Sequence, residues 1–424
     1  MLSDEVIEKV TERLVNRIEQ GNIYVIEQIG KSIKKVGTLT PSKAQQLEQV
    51  LKYGGDYDKI VKKLAEITKL NVKDIKKIFE EVAKSDYQFA KQFYDYRGKK
   101  FIPYSQNEEL QREVTALSNI MIDNYISKTK SIGFSFRDPE GNVIFRTLEQ
   151  TYQDVIDKAI VSIAQGKTTF EQEMYQTIKD IGSSGIKTMD YESGRTMRFD
   201  SYFRMLAKDS LRELHNEEQQ MFGKQFGSNM VEVSHHSNSA PDHIDTIDGK
   251  QFARIDVIKE QIKKGIEKEI KLSDIDNNRV KVKGKWYNDF DSINNNLVRP
   301  VSTLNCYHYT FEGILGISKP EFTEEELKAD KEKNITGFEY ENKHYTLYEG
   351  QQLLRKIELE LRKAKDEQIL GRSSGIIENV ENAQSKITVL THKYKDVLKA
   401  SGLPSKLERA RVVGYHRVNT KKLK

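Results

Sequence analysis

Met230-Val231-Glu232-Val233-Ser234-His235-His236-Ser237-Asn238-Ser239-Ala240-Pro241-Asp242-His243 is the stretch on which the reading of this chain turns. Its first four residues alternate apolar and polar, the period-two signature of a strand. Three of the chain's eight histidines then fall within nine positions. Upstream of Asn229 the pattern is almost wholly helical, and from about Asn229 to Pro300 short strands, turns and polar loops take over. The change of period predicts a compact α+β domain set into a helical protein.

Working back from this stretch, residues 1–130 read as helices. Val6, Val10 and Leu14 fall at four-residue steps, and Ile26, Ile29 and Ile33 continue the stripe. Ile60, Leu64 and Ile67 make another, as do Ile75, Ile78, Phe79 and Val82. Such stripes are the core-facing sides of amphipathic helices packed in a bundle. Thr40-Pro41 reads as a helix start, a capping hydroxyl before a first-turn proline. Breaks are expected at Gly37, Gly54-Gly55 and near Asn71. Gly133 to Arg146 reads as a hairpin about the turn Asp138-Pro139-Glu140-Gly141-Asn142. Helix resumes from Leu148 to about Asp180, and a long helix is expected from Ser193 to about Gln225, with Phe199, Tyr202, Phe203 and Leu206 on one face. Arg195, Arg198 and Arg204 then ride the other face as a solvated rim, or as a site for phosphate or carboxylate. Beyond Pro320 the chain is Glu- and Lys-rich. Tyr345 to Glu367 reads as helix, Gly371-Arg372-Ser373-Ser374-Gly375 as a flexible link, and Lys421-Lys422-Leu423-Lys424 as a basic end.

Composition bounds the answer. The chain has 424 residues, 37% hydrophobic and 31% charged, with 69 basic residues against 64 acidic ones for a net charge of +5. That length suggests two or three domains. The charge excess is weaker than a dedicated DNA-binding domain requires. No apolar run approaches membrane-spanning length, and the Met1 end opens into a charged helical pattern, so neither a membrane span nor a secretory leader is expected. A lone cysteine, Cys306, forms no internal disulfide, which points to a reducing compartment.

Cys306 stands two residues from His308, so imidazole and thiolate donors gather at two points of the chain. His236, His243, Cys306 and His308 would make a tetrahedral zinc set of the structural kind. The competing reading is that these histidines hold the loop by hydrogen bonds to backbone carbonyls or to Asp242 and Asp248. A catalytic reading takes His243 with Asp245 and Asp248 as a metal-dependent nuclease, or Cys306 as a nucleophile. Walker, Rossmann and Gly-x-Ser-x-Gly patterns are absent.

Beside these readings stands a resemblance. Tyr191-x-x-Gly194-Arg195-Thr196-Met197-Arg198-x-Asp200-Ser201-Tyr202-x-Arg204-Met205, Val231-Glu232-Val233-Ser234-His235-His236, Pro241-x-His243, Gly249-Lys250-x-Phe252, Asn305-Cys306-x-His308-x-x-Phe311 and Gly316-Ile317-Ser318 occur in that order. The helix Tyr345 to Gln352 closes the series. Together they are similar to the minor capsid proteins of tailed bacteriophages, related to the Mu F-like head-morphogenesis proteins. The likeness covers residues 185–365 well and the helical first half loosely. It puts His236, Pro241, His243, Gly249, Lys250, Asn305, Cys306 and His308 at the family's signature positions. Asn238-Ser239-Ala240-Pro241 and Asn305-Cys306-Tyr307-His308 each lack an arginine usual in the family, while the four donors remain.

The expected fold is mainly α with a small α+β domain. Its regions are an N-terminal helical region (1–130), a hairpin and connecting helices (131–190), a signature domain (191–318) and a C-terminal helical extension with a basic tail (319–424). What the resemblance implies is a non-enzymatic component inside the phage head, made in the host cytoplasm and incorporated near the portal. It would assist head assembly, DNA packaging or DNA exit, with the basic tail touching packaged DNA non-specifically.

Overall fold

The computed structural model describes residues 3–38, 56–96, 98–137, 140–189, 194–303 and 306–418. Thr40-Pro41, Gly54-Gly55, Asp138-Pro139, Tyr191, Asn305 and the basic end Lys421 to Lys424 lie outside the described residues. The protein is mainly α, with small antiparallel sheets.

Long amphipathic helices span Asp4–Gly37 and Asp56–Tyr96. Ile26, Ile29, Ile33, Ile60, Ile75, Ile78 and Phe79 are buried, as the stripes require. The second helix runs straight through Asn71, against the expected break. Asn71 is fully buried and its amide donates to the Tyr125 hydroxyl at 3.0 Å. That amide is taken by a neighbouring helix rather than by water, while the Asn71 side-chain oxygen stays buried without a partner, and the helix continues through it. Glu108–Thr129 is the next long helix, followed by the hairpin Ile132–Arg137 and Val143–Thr147, in the expected place.

Two further expectations are corrected. The helical stretch after Leu148 is two helices, Leu148–Gln165 and Lys167–Ser184, divided at Gly166, whose φ of +121° favours glycine. The arginine-rich segment begins as a three-residue strand, Thr196–Arg198, and only then becomes the helix Phe199–Phe226. Arg198 and Arg204 are therefore not a solvated rim. Arg198 is buried and Arg204 pairs with Glu12, while Arg195 is exposed.

Near the C-terminus, Leu347–Ser374 is one helix, and only Gly375 (φ +81°) turns the chain into Ile377–Ser401. Gly371 is helical and closely packed. A Cβ there would lie 2.9 Å from Asn379 Cβ and 3.2 Å from Val380. The glycine lets two helices approach, so the Gly/Ser run is not a flexible link.

The chain packs as two compact units. One comprises Met1–Val10, Ile75–Met121 and Met205–Glu349, and the other Thr11–Asp74, Ile122–Arg204 and Gly350–Lys424. Each unit draws on three separate stretches of the chain.

The second unit is organised around buried charge. Arg198 bonds Asp200 at 3.1 Å and Asp366 at 2.9 Å, and Arg362 reaches Asp200 at 2.8 Å. Burial would raise the Asp200 carboxyl, but the two arginines hold it down at about 2. Burial pushes Asp366 upward. Glu19 stands beside this set with its Oε2 buried and without a hydrogen-bond partner. Burial, reinforced by Asp200 and opposed by Arg362, pushes Glu19 up to about 8. Two cations against two carboxylates already balance, so Glu19 is held neutral.

The first unit carries the α+β part. Strands Thr310–Gly313, Met230–Val233 and Gln251–Ala253 form an antiparallel sheet with Met230–Val233 in the middle. All four residues of that strand are buried, because apolar clusters cover both sheet faces. Its polar member Glu232 is satisfied by Gln251 at 2.7 Å and the Glu321 amide at 2.8 Å. His215 on the long helix ties this sheet down, bonding Asp86 at 2.6 Å and the Thr310 carbonyl at 3.0 Å. Among the described residues, no helix is long and apolar enough to cross a membrane.

Candidate metal centre

Strand pairing brings the donors together. Val233 faces Thr310 in the ladder, and the Ser234 amide donates to the Tyr309 carbonyl at 2.9 Å. The chain leaving one strand through His235 and His236 therefore runs beside the chain entering the other through Cys306 and His308. His243 is added by the one-turn helix Pro241–Ile244, opened by proline at its first position. Arg299 braces that turn through two bonds to Asp242, at 2.8 and 2.5 Å, which hold the Asp242 carboxyl below its usual range.

Three donors converge. His243 Nδ1 and His308 Nδ1 are 3.2 Å apart, and Cys306 Sγ lies 3.6 and 3.5 Å from them. All three residues are at most 2% exposed. Their outward nitrogens are engaged. His243 Nε2 faces the Arg299 carbonyl at 2.8 Å, and His308 Nε2 faces Asp248 Oδ1 at 2.8 Å. A carbonyl only accepts, so His243 carries its proton on Nε2, and the carboxylate fixes the same tautomer on His308. Both inward Nδ1 atoms then present lone pairs to each other and to the sulfur. Burial, partly offset by Asp248, drops His308 to about 4, which keeps it neutral, and burial pushes the Cys306 thiol up.

That arrangement fits a metal ion. Ligands about 2.0–2.3 Å from a tetrahedral zinc stand about 3.3–3.8 Å from one another, close to the three separations here. Lone pairs turned inward and N–H groups bonded outward to a carboxylate and a carbonyl are what histidine ligands need.

His236 departs from the four-donor expectation. Its Nε2 is 2.8 Å from the Tyr307 carbonyl, and its ring lies beside His308, 4.9 Å between centroids. It is not among the donors that come within 4.8 Å of one another. It braces the backbone between Cys306 and His308 instead.

Asp248 is the residue that the sequence undervalued. Named from the sequence only as one acceptor beside Asp242, it is the hub. It accepts from His235 at 2.7 Å, His308 at 2.8 Å, Ser239 at 2.7 Å and the His236 amide at 2.9 Å. Burial would raise its carboxyl, but these donors hold it far below the usual range. His235 completes the chain by reaching Asp330 at 2.8 Å; burial lowers its pKa, and the two carboxylates overcome this to hold it at about 9. Gly249 has φ +67°, and a Cβ there would meet Leu327 at 2.4 Å, so only glycine fits beside this hub. Lys250 reaches the Asp245 carbonyl at 2.5 Å on the outside of the loop.

With this geometry in view, the comparisons give the class. The chain matches the family described as Phage minor capsid protein 2 over residues 2–399, nearly its whole length, and it belongs to that family. It is a structural component of a bacteriophage capsid. No curated protein and no solved structure matches it significantly.

Proposed function

We propose that the protein is a non-enzymatic component of the phage head, incorporated near the portal during assembly in the host cytoplasm, where it assists head assembly, DNA packaging or DNA exit. The family match carries this reading. The site supports the non-enzymatic part. Cys306 is buried with its thiol pKa raised, the opposite of an activated nucleophile. Asp248, the carboxylate a nuclease would use, is 4% exposed and has its acceptors filled. Quantifying the protein in purified particles should find it at a few copies per virion. Its absence from both particles and procapsids would end the reading. Co-expression with the portal protein of the same phage should yield a co-purifying complex. DNA cleavage with divalent metals, abolished by His243→Ala, would favour a nuclease instead.

Within the same reading, His243, Cys306 and His308 supply three of the four ligands of a zinc ion that pins the strand ends, the fourth position being left to water or another donor. The observation that carries it is the pair of inward-facing Nδ1 lone pairs beside the sulfur. Elemental analysis should find about one zinc per chain. Cys306→Ser and His243→Ala should each lose it, while His236→Ala, which changes a backbone brace, should keep it. Full zinc in the Cys306→Ser chain, or none in the parent, would refute the site.

A further inference from the structure

The three-stranded sheet Ile275–Asp276, Arg279–Val282 and Lys285–Asn288 takes no part in the centre just described. Its last two strands are joined by the two-residue turn Lys283-Gly284, with φ +49° and +86°. From Asn277 to Asn288 the sequence holds four basic residues and no acidic one. Alternation sorts the side chains. Val280 and Val282 are buried in the apolar cluster with Ile258 and Ile270, so Arg279 and Lys281 take the outward face. Lys281 is paired directly with Trp286, which is the chain's single tryptophan and 42% exposed. The Arg279 guanidinium lies 4.4 Å from the indole centroid, and the Lys281 ammonium 5.9 Å.

The indole is left half in solvent beside two cations of the neighbouring strand, on the face turned away from the core. We propose that this face binds nucleic acid, with Arg279 and Lys281 on phosphates and the Trp286 ring against an unpaired base. Cations tracking a backbone beside an aromatic platform are the chemistry by which single strands are held without sequence preference. The ion pair between Arg279 and Asp276, at 2.7 Å, is half-exposed on both sides. Such pairs are weak, so a phosphate exchanges with it readily. A lipid surface is a poorer match, because the outward face offers one apolar side chain, far less than interfacial anchoring uses. The inference stands apart from the portal and zinc readings and fails or survives without them.

The lone tryptophan reports on its own site. Titrating the full-length protein at low salt with a thymidine oligonucleotide should quench Trp286 emission. The binding should weaken with salt. Lys281→Gln should reduce the slope of log affinity against log salt by about 0.7, one single-strand phosphate contact. Followed by anisotropy of a labelled oligonucleotide, Trp286→Ala should bind on the order of tenfold more weakly, and Trp286→Phe should recover most of the loss. Circular dichroism checks the fold of each variant, and Lys281→Gln carries the test if Trp286→Ala fails to fold. Absent quenching, parental binding by both Lys281→Gln and Trp286→Ala, or equal quenching by heparin or phosphatidylglycerol vesicles would overturn the proposal.

Discussion

Asp248→Ala is expected to destabilise the unit that holds the candidate metal centre by about 3–5 kcal/mol, the cost of breaking a buried, hydrogen-bonded ion pair from one side. Four donors lose their acceptor at once: the His235 and His308 rings, the Ser239 hydroxyl and the His236 amide. His235, whose pKa of about 9 keeps it protonated at neutral pH, is left with Asp330 alone. Asn is no rescue, because its amide would turn a donor toward donors. Asp242→Asn is the contrast. Its carboxylate is 35% exposed and its pair with Arg299 is accessible to water, so about 1 kcal/mol or less is expected. Denaturant unfolding of the two variants checks this. Equal losses would show that Asp248 is not the hub.

The second large effect depends on pH. Glu19 has a folded pKa of about 8 against an ordinary value of 4.5. Below pH 4.5 it is neutral in both states and costs nothing. Between pH 4.5 and 8 the unfolded chain ionises this group while the folded one does not, so stability falls as pH rises, and above pH 8 the loss is constant. A raised carboxyl pKa thus works against the fold at alkaline pH. Glu19→Gln removes that dependence. The variant should match the parent near pH 4.5 and exceed it by about 4–5 kcal/mol at pH 8.5, at about 1.36 kcal/mol per pKa unit. Burial is the main cause, reinforced by Asp200 and Asp366 and opposed by Arg362 and Arg198, on two other parts of the chain. Thermal unfolding at the two pH values decides it, and a difference of equal size at both would refute the assignment.

The helices were legible because their apolar stripes repeat at the helical period, and burial of Ile29, Ile33, Ile75 and Ile78 follows directly. Misreadings arose where tertiary contacts changed the meaning of a residue. Asn71 looks like a helix end until Tyr125 accepts its amide. Gly371 looks like a hinge until Val380 fills the space a side chain would occupy. Thr196–Arg198 is too short for any periodic pattern, and its arginine is drawn inward by Asp366, distant in sequence. At the centre, residue type alone picked out His243, Cys306 and His308, since few side chains offer such donors. It could not separate His236 from them, because the difference is which way a ring turns. Nor could it reveal the Arg299 carbonyl, since backbone acceptors leave no trace in composition. Asp248 was readable as one acceptor for the loop histidines, and only the meeting of His235 and His308 makes it their common one.

The register that sets Val233 opposite Thr310 has a further consequence. It makes the intervening chain a loop closed at its base, from which Gln251–Ala253 returns to the sheet and Ile258, Ile270, Val280 and Val282 pack beside Met230 and Leu315. The entropy of closing such a loop grows slowly, by about 0.6 kcal/mol for each doubling of length. Added length is therefore cheap in the exposed turns of this loop and costly at its base, at Gln251–Ala253 and around Asp248. Lineages descended from a common ancestor are free to lengthen or shorten such turns, and divergence should concentrate there while the junction and the strand beside it stay the same.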